Sequence, residues 1–126
     1  MEKLFIQGTQ ETPEVKFDPA TGKLSITGRS YGSDMPDFYK ELSKWVDKYV
    51  LNAETDTVLE INIDYLHSVS VKFLTKMIRE LNRITKFKKK FKVIWHYEED
   101  DDENLDLGKS IQAETGVDFE FVIIVP

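Results

Sequence analysis

Two serines lie where a predicted strand meets a predicted helix. Residues Ile61 to Ile84 read INIDYLHSVSVKFLTKMIRELNRI, and Ser68 and Ser70 stand at the change of pattern. Ser68 could cap the helix by accepting a hydrogen bond from a free N–H of its first turn. The same hydroxyl lies outside the carboxyl end of a strand, where open α/β sheets bind ligands and a helix dipole stabilises phosphate. The sequence therefore allows two roles for Ser68, a structural helix cap and a functional hydroxyl.

The helix behind Ser68 is predicted to be two-sided. At about 100° per residue its apolar residues form one stripe and its basic residues another on the opposite side, which Ser68 begins. This basic stripe is either a solvated face or, on an acidic protein, a docking surface for an acidic partner. It consists of Lys72, Lys76, Arg79, Arg83 and Lys86.

Hydrolytic chemistry would need a base that activates a serine. The chain has two histidines, His67 and His96, and no cysteine. His67 is adjacent to Ser68, a poor geometry for activating it, and no G-x-S-x-G motif is present. Nucleotide-binding glycine loops are absent as well. We therefore expect a protein that is not an enzyme, with no catalytic residues.

The run EEDDDE, Glu98 to Glu103, precedes the third predicted helix. Carboxylates bind Mg²⁺, so a metal-assisted enzyme using Asp100, Asp101 and Asp102 is one hypothesis. The run lacks the calcium-loop spacing and its glycine, and an acidic loop that complements a helix N-terminus is the simpler interpretation. We expect neither a metal site nor a cofactor.

Hydrophobic periodicity predicts the elements that position these residues. A helix begins near Asp34, with Pro36 in its first turn, a second runs from about Ser68 to Phe87, and a third spans Glu103–Thr115 and stops at Gly116. The predicted strands are Leu4–Ile6, Glu14–Asp18, Lys23–Gly28, Thr57–Tyr65, Phe91–Tyr97 and Phe119–Val125.

The strands alternate between apolar and polar residues. Glu60, Asn62 and Asp64 give the central strand a polar side, whereas a sheet covered on both faces would have continuous apolar strands. The prediction is an α/β fold with a mixed sheet of about six strands and about three helices mainly on one face. The apolar residues at alternate strand positions, which include Tyr65 and Val125, are expected to face the helices.

Composition restricts the class of protein. With 126 residues, 40% of them apolar, the chain can bury one core, so we expect a single domain over residues 1–126. A net charge of −6 disfavours nucleic acid and anionic membrane as partners. The apolar run Leu4–Ile6 is too short for a signal peptide, so we expect a soluble cytoplasmic protein.

Four stretches spread over nearly the whole chain resemble one family. They are GTQETPEVKFD, GRSY followed by FYKELSKWVDKY, YLHSVSVK and WHYEEDDDE. Together they are similar to the SiaC family of bacterial regulatory phosphoproteins, whose fold is similar to the STAS domain of anti-sigma factor antagonists.

The resemblance implies a partner-switching role in cyclic di-GMP regulation. In such proteins a Thr or Ser at the strand–helix joint is phosphorylated by a Ser/Thr protein kinase and dephosphorylated by a PP2C-type phosphatase. The unmodified form binds and activates a diguanylate cyclase. When the family motif is placed on this sequence, the resemblance implies that Ser68 is the phosphoacceptor. Ser70 then matches the last hydroxyl residue of the motif, and Lys72 matches its lysine.

This sequence departs from the family pattern near the joint. His67 stands in place of Asn, Val69 in place of a Ser, and Gly32-Ser33-Asp34 where Pro-Glu-Asn is common. The leading hypothesis is a phosphorylation-switched signalling adaptor, and the second is a constitutive scaffold whose Ser68 only caps a helix. The predicted partner-binding residues are Tyr31, His67, Ser70, Lys72, Lys76 and Arg79.

Overall fold

A mixed sheet holds the chain together in the computed structural model, which describes residues 1–31, 35–66 and 68–125. Within those residues six strands are ordered along the sheet as they are along the chain. The first three pair antiparallel, and the third to the sixth pair parallel. The strands are β1 (Leu4–Ile6), β2 (Glu14–Asp18), β3 (Lys23–Ser30), β4 (Thr57–Leu66), β5 (Phe91–Glu98) and β6 (Asp118–Ile124).

Each parallel connection contains a helix. The helices are α1 (Met35–Asn52), α2 (Ser68–Leu81) and α3 (Asp102–Thr115), and α2 continues into a 3₁₀ helix at Asn82–Phe87. Parallel crossovers are right-handed almost without exception, and these three all step in the same direction across the sheet, so the helices share one face. The predicted α/β fold is confirmed, and the predicted second helix is α2 plus the 3₁₀ turn. The predicted cap Asp34 lies outside the described residues.

The core lies between the helices and the covered face of the sheet. Ile26, Leu59, Ile61 and Val93 are at most 1% exposed, whereas the alternate residue Glu60 faces solvent. The predicted alternation therefore holds in the middle of the strands. No helix within the described ranges is long and apolar enough to cross a membrane.

The alternation fails at the carboxyl end of β4. The β3–β4 register shifts between Gly28 and Arg29, so that Gly28 pairs with Ile63 but Arg29 pairs with Tyr65. Asp64 is the extra residue of this β-bulge, and a bulge re-aims the side chains that follow it. Tyr65 is consequently 54% exposed, which corrects the prediction that it faces the core. Val125 is 83% exposed because it lies beyond the end of β6, so the prediction that it faces the helices is wrong as well.

Gly108 lets α3 approach the sheet. A methyl group at Gly108 would lie 2.8 Å from Trp95 Cε2 and 2.9 Å from Phe121 Cε1. Ordinarily Ala in a helix is about 1 kcal/mol better than Gly, but overpacking a core costs about 1–3 kcal/mol. We expect Gly108→Ala to lower the free energy of unfolding by about 1 kcal/mol in urea titrations.

Ser110→Ala on the exposed side of α3 is the control for Gly108→Ala. Because Ser110 is exposed, the control is expected to stay within about 0.5 kcal/mol of the parent. A stabilised Gly108→Ala variant would show that α3 shifts to accommodate the methyl group.

Candidate functional site at the joint of β4 and α2

Ser68 is the first residue of α2, and its side chain is exposed. That Ser68 also caps this helix, as the sequence allows, stays a prediction. His67, a predicted partner-binding residue, lies outside the described residues. Ser68 therefore presents a reachable hydroxyl at the positive end of α2, and no acidic residue occupies the first turn of this helix as described.

Ser70 is fully buried, in contrast to Ser68. Its hydroxyl donates to the Ser30 carbonyl oxygen at 3.1 Å and accepts from Ser30 Oγ at 2.9 Å. Ser30 Oγ also lies 2.9 Å from the Tyr39 hydroxyl. Since Ser30 gives its proton to Ser70, Tyr39 is the donor in that contact. The prediction that Ser70 contacts a partner is corrected, because its oxygen cannot be reached from solvent.

This chain of hydroxyls ties three elements together behind the joint. It connects the end of β3, the first turns of α1 and the first turn of α2, two residues from Ser68. Burial raises the pKa of Tyr39 above its ordinary value of 10.0, while the hydrogen bonds with Ser30 and Ser70 act in the opposite direction. Tyr39 therefore remains a neutral donor, and the chain holds the start of α2 in place.

Two exposed tyrosines border the joint on the side of the sheet opposite the helices. Tyr31 and Tyr65 meet edge to face with ring centroids 4.9 Å apart, and they are 37% and 54% exposed. Beside them Arg29 pairs with Asp64 at 3.8 Å. The Tyr31 N–H donates to the Glu11 carbonyl at 3.1 Å, which places the β1–β2 loop at the same edge. Tyr31 was predicted as a site residue, whereas Tyr65 was missed because alternation alone cannot reveal a bulge.

The basic stripe is not uniform along α2. Lys72 and Lys76 are exposed, and neither forms an ion pair with any residue that the structure describes. Arg79, by contrast, pairs with Glu114 of α3 at 3.4 Å, and Arg83 pairs with Glu80. The lysines of the stripe without an ion pair among the described residues are therefore Lys72 and Lys76, close to Ser68, and Lys86 in the 3₁₀ helix.

The acidic run has a structural role in α3. Asp101 caps this helix by accepting from the Asn104 N–H at 3.1 Å, and Asp102 and Glu103 lie in its first turn. Across residues 1–31, 35–66 and 68–125 no three His, Asp or Glu side chains are grouped so that they could hold a metal ion. Nothing in the described arrangement supports the hypothesis of a metal-assisted enzyme.

These features define an α/β domain with one covered sheet face and an exposed hydroxyl at a helix N-terminus. The model of the SiaC family regulatory phosphoproteins matches residues 6–124. The chain belongs to this family, and the resemblance noted in the sequence is confirmed.

One protein of similar sequence and two solved structures of similar fold, described here and below, come from Pseudomonas aeruginosa. An uncharacterised protein of strain UCBPP-PA14 is 24% identical over 119 residues, which cover 94% of each chain. The crystal structure of apo-SiaC superposes with a TM-score of 0.88 at 23% identity, covering 97% of this chain and 99% of that one.

A third match comes from a complex. In the crystal structure of the diguanylate cyclase SiaD with its activator SiaC, the matching chain gives a TM-score of 0.88 at 22% identity, covering 96% of this chain and 99% of that one. At this level of identity the structural matches establish the shared fold.

Proposed function

We propose that this protein is a non-enzymatic signalling adaptor, switched by phosphorylation, that acts as one domain in the cytoplasm. Its unmodified form binds and activates a diguanylate cyclase, a Ser/Thr protein kinase modifies Ser68, and a PP2C-type phosphatase restores it. The observation that carries the proposal is the exposed Ser68 hydroxyl at the start of α2. Family membership and the activator role of SiaC in its complex with SiaD support the same assignment.

Phosphorylation would act by changing charge at the edge of the docking surface. A phosphate on Ser68 adds about 1.5–2 negative charges at pH 7 and three acceptor oxygens. The α2 dipole and Lys72 stabilise that phosphate, so the modified protein remains folded. An acidic partner segment bound along Lys72 and Lys76 would be repelled, with a coupling of about 1–3 kcal/mol or roughly 5–150-fold in affinity.

The proposed contact surface combines exposed aromatic and basic groups. Tyr31 and Tyr65 offer two partly exposed rings, the kind of residue that dominates binding energy in protein interfaces. Lys72 and Lys76 supply positive charge on the helix side of the joint, where exposed charge mainly governs association rate and specificity. Arg79 pairs with Glu114, but both side chains are more than half exposed, so a partner could replace this pair at little cost.

Intact-mass spectrometry after co-expression with the kinase from the same organism tests the acceptor. The parent chain is expected to gain one phosphate and Ser68→Ala none, while the exposed-serine control Ser110→Ala keeps the phosphate. Ser68→Ala should change the free energy of unfolding by no more than about 0.5 kcal/mol, so loss of phosphate cannot be attributed to unfolding. A Ser68→Ala chain that still gains one phosphate and releases its partner would show that the acceptor lies elsewhere.

Calorimetric titration with the diguanylate cyclase from the same organism tests the switch itself. Phosphorylated chain is expected to bind roughly 5–150-fold more weakly than unmodified chain. Equal affinity of the two forms would identify a constitutive scaffold in which Ser68 modification has no effect on binding.

A further inference from the structure

The sheet face that carries no helix contains a groove of about 800 Å³. The groove lies at the amino-terminal ends of the parallel strands β3, β4 and β5, because its lining includes Lys23, Val58 and Lys92 at or near the first residues of those strands. Ser68 is located beyond the opposite, carboxyl-terminal end of β4. This groove is therefore separate from the proposed phosphorylation site, and the inference drawn from it does not depend on that site.

Two rows of cross-strand neighbours form the floor of the groove. In one row Lys23 pairs with Val58, and Val58 pairs with Lys92. In the adjacent row the pairing runs from Phe5 to Lys16, Ser25, Glu60 and Ile94. Because alternate residues of a strand share a face, Val58 and Ile94 provide an apolar floor on the open side, and Phe5 stands at one end of the groove, 61% exposed.

Positive charge collects around this apolar floor. Four lysines and two acidic residues line the groove, and Glu14 and Glu120, which pair with two of these lysines, lie beside it. The lysines are Lys3, Lys16, Lys23 and Lys92, and the acidic residues are Asp18 and Glu60. Lys23 is left without an acidic partner among the described residues, which favours an anionic group beside it.

The lysines are available to such a ligand. Lys3, Lys16 and Lys92 form ion pairs at 3.9, 3.7 and 3.6 Å, and all three of their side chains are at least 44% exposed. Exposed pairs of this kind contribute about 0–1 kcal/mol, so they exchange for a ligand at little cost. Lys23 has no ion pair within the described part of the chain.

The register assigns the position of the anionic group. Lys23 and Lys92 flank Val58 on neighbouring strands, about 10 Å apart at the backbone, so two flexible side chains can meet above Val58 on one anion. Glu60, in the adjacent row, disfavours a second negative charge at the centre of the floor. A ligand therefore has one acidic end and an apolar body.

We propose that this groove binds a small amphiphilic anion, a carboxylate, sulfonate or phosphate held by Lys23 and Lys92 with an apolar body lying along Val58, Ile94 and Phe5. A volume of about 800 Å³ is within the usual range of small-molecule sites, roughly 300–1,000 Å³. The polar rim and apolar floor match the composition of such sites as well.

Fluorescence titration with 8-anilinonaphthalene-1-sulfonate, an aromatic body with one sulfonate, tests the site. Saturable binding to the folded parent chain is expected, and Lys23→Gln/Lys92→Gln should weaken it about fivefold to thirtyfold. The matched control Lys40→Gln/Lys44→Gln removes the same charge from the exposed side of α1 and should leave the titration unchanged. Decanoate should displace the probe, and decyltrimethylammonium should not.

Thermal unfolding of both double variants accompanies the titration, since the probe also binds partly unfolded chains. Amide chemical shifts at Val58 and Ile94 are expected to move on addition of decanoate. The proposal would be overturned if both double variants weakened binding equally, or if the cation displaced the probe as readily as the anion. It would also be overturned if no saturable binding were observed. Concentration-dependent self-association that Phe5→Ser abolishes would overturn it as well, because the groove would then bind a second copy of the chain.

Discussion

Charge reversal of Lys72 and Lys76 together is expected to weaken binding of an acidic diguanylate cyclase segment roughly 100-fold, or about 3 kcal/mol. Both side chains are exposed and have no ion pair among the described residues, so a bound acidic partner would meet no internal competitor for them. Like charges brought into contact cost several kcal/mol, more than the loss of an exposed attractive pair. Calorimetric titration of Lys72→Glu/Lys76→Glu against the parent chain measures the difference.

Lys40→Glu/Lys44→Glu is the matched control for this charge reversal. These two exposed lysines have the same four-residue spacing on α1 and change the net charge equally. The affinity of the control for the cyclase should fall by less than about fivefold. The difference in affinity between the two variants should shrink as ionic strength rises. Equal losses in both variants would show that net charge governs binding and that α2 is not a localised docking surface.

Removal of the Ser70 hydroxyl is expected to destabilise the fold by about 1–3 kcal/mol. Ser70→Ala deletes the donor to the Ser30 carbonyl and the acceptor for the Ser30 hydroxyl, at a position with no solvent exposure. Water cannot replace either bond without entering the core. Urea unfolding monitored by circular dichroism gives the change in free energy.

The comparison between Ser70→Ala and Ser68→Ala isolates the effect of burial. Both variants lose one serine oxygen from the first turn of α2, but Ser68 is exposed and should cost no more than about 0.5 kcal/mol. Tyr39→Phe combined with Ser70→Ala should cost less than the two single changes added together, because they break one connected chain. Strict additivity would mean that the hydroxyls act independently.

Most of the fold follows from periodicity in the sequence. Glu60, Asn62 and Asp64 alternate with apolar residues, and this pattern correctly indicated that one sheet face carries no helix. The switch from a two-residue to a three- or four-residue period located the helices, and Gly116 marked the end of α3. These features are local, so a sequence contains enough information to predict them.

Features that depend on pairing between distant segments could not be predicted in this way. The bulge that turns Tyr65 outward depends on the register of β3 against β4. The burial of Ser70 depends on Ser30, forty residues earlier, so its hydroxyl resembled that of Ser68 until the helix was placed against the sheet. The open-face groove likewise requires Lys23 and Lys92, which are remote in the chain, to be brought to either side of Val58.

The strand order has a consequence for synthesis of the chain. Because each strand lies beside its predecessor in the sequence, no later strand has to insert between two that are already paired. The sheet closes through two hairpin loops and three crossovers that each contain one α-helix, so each pairing step closes a single segment next to strands that are already formed. A nascent polypeptide leaving the ribosome can add one strand after another to a template that already exists, so the edges exposed to aggregation at any moment are the short β1 and the newest strand.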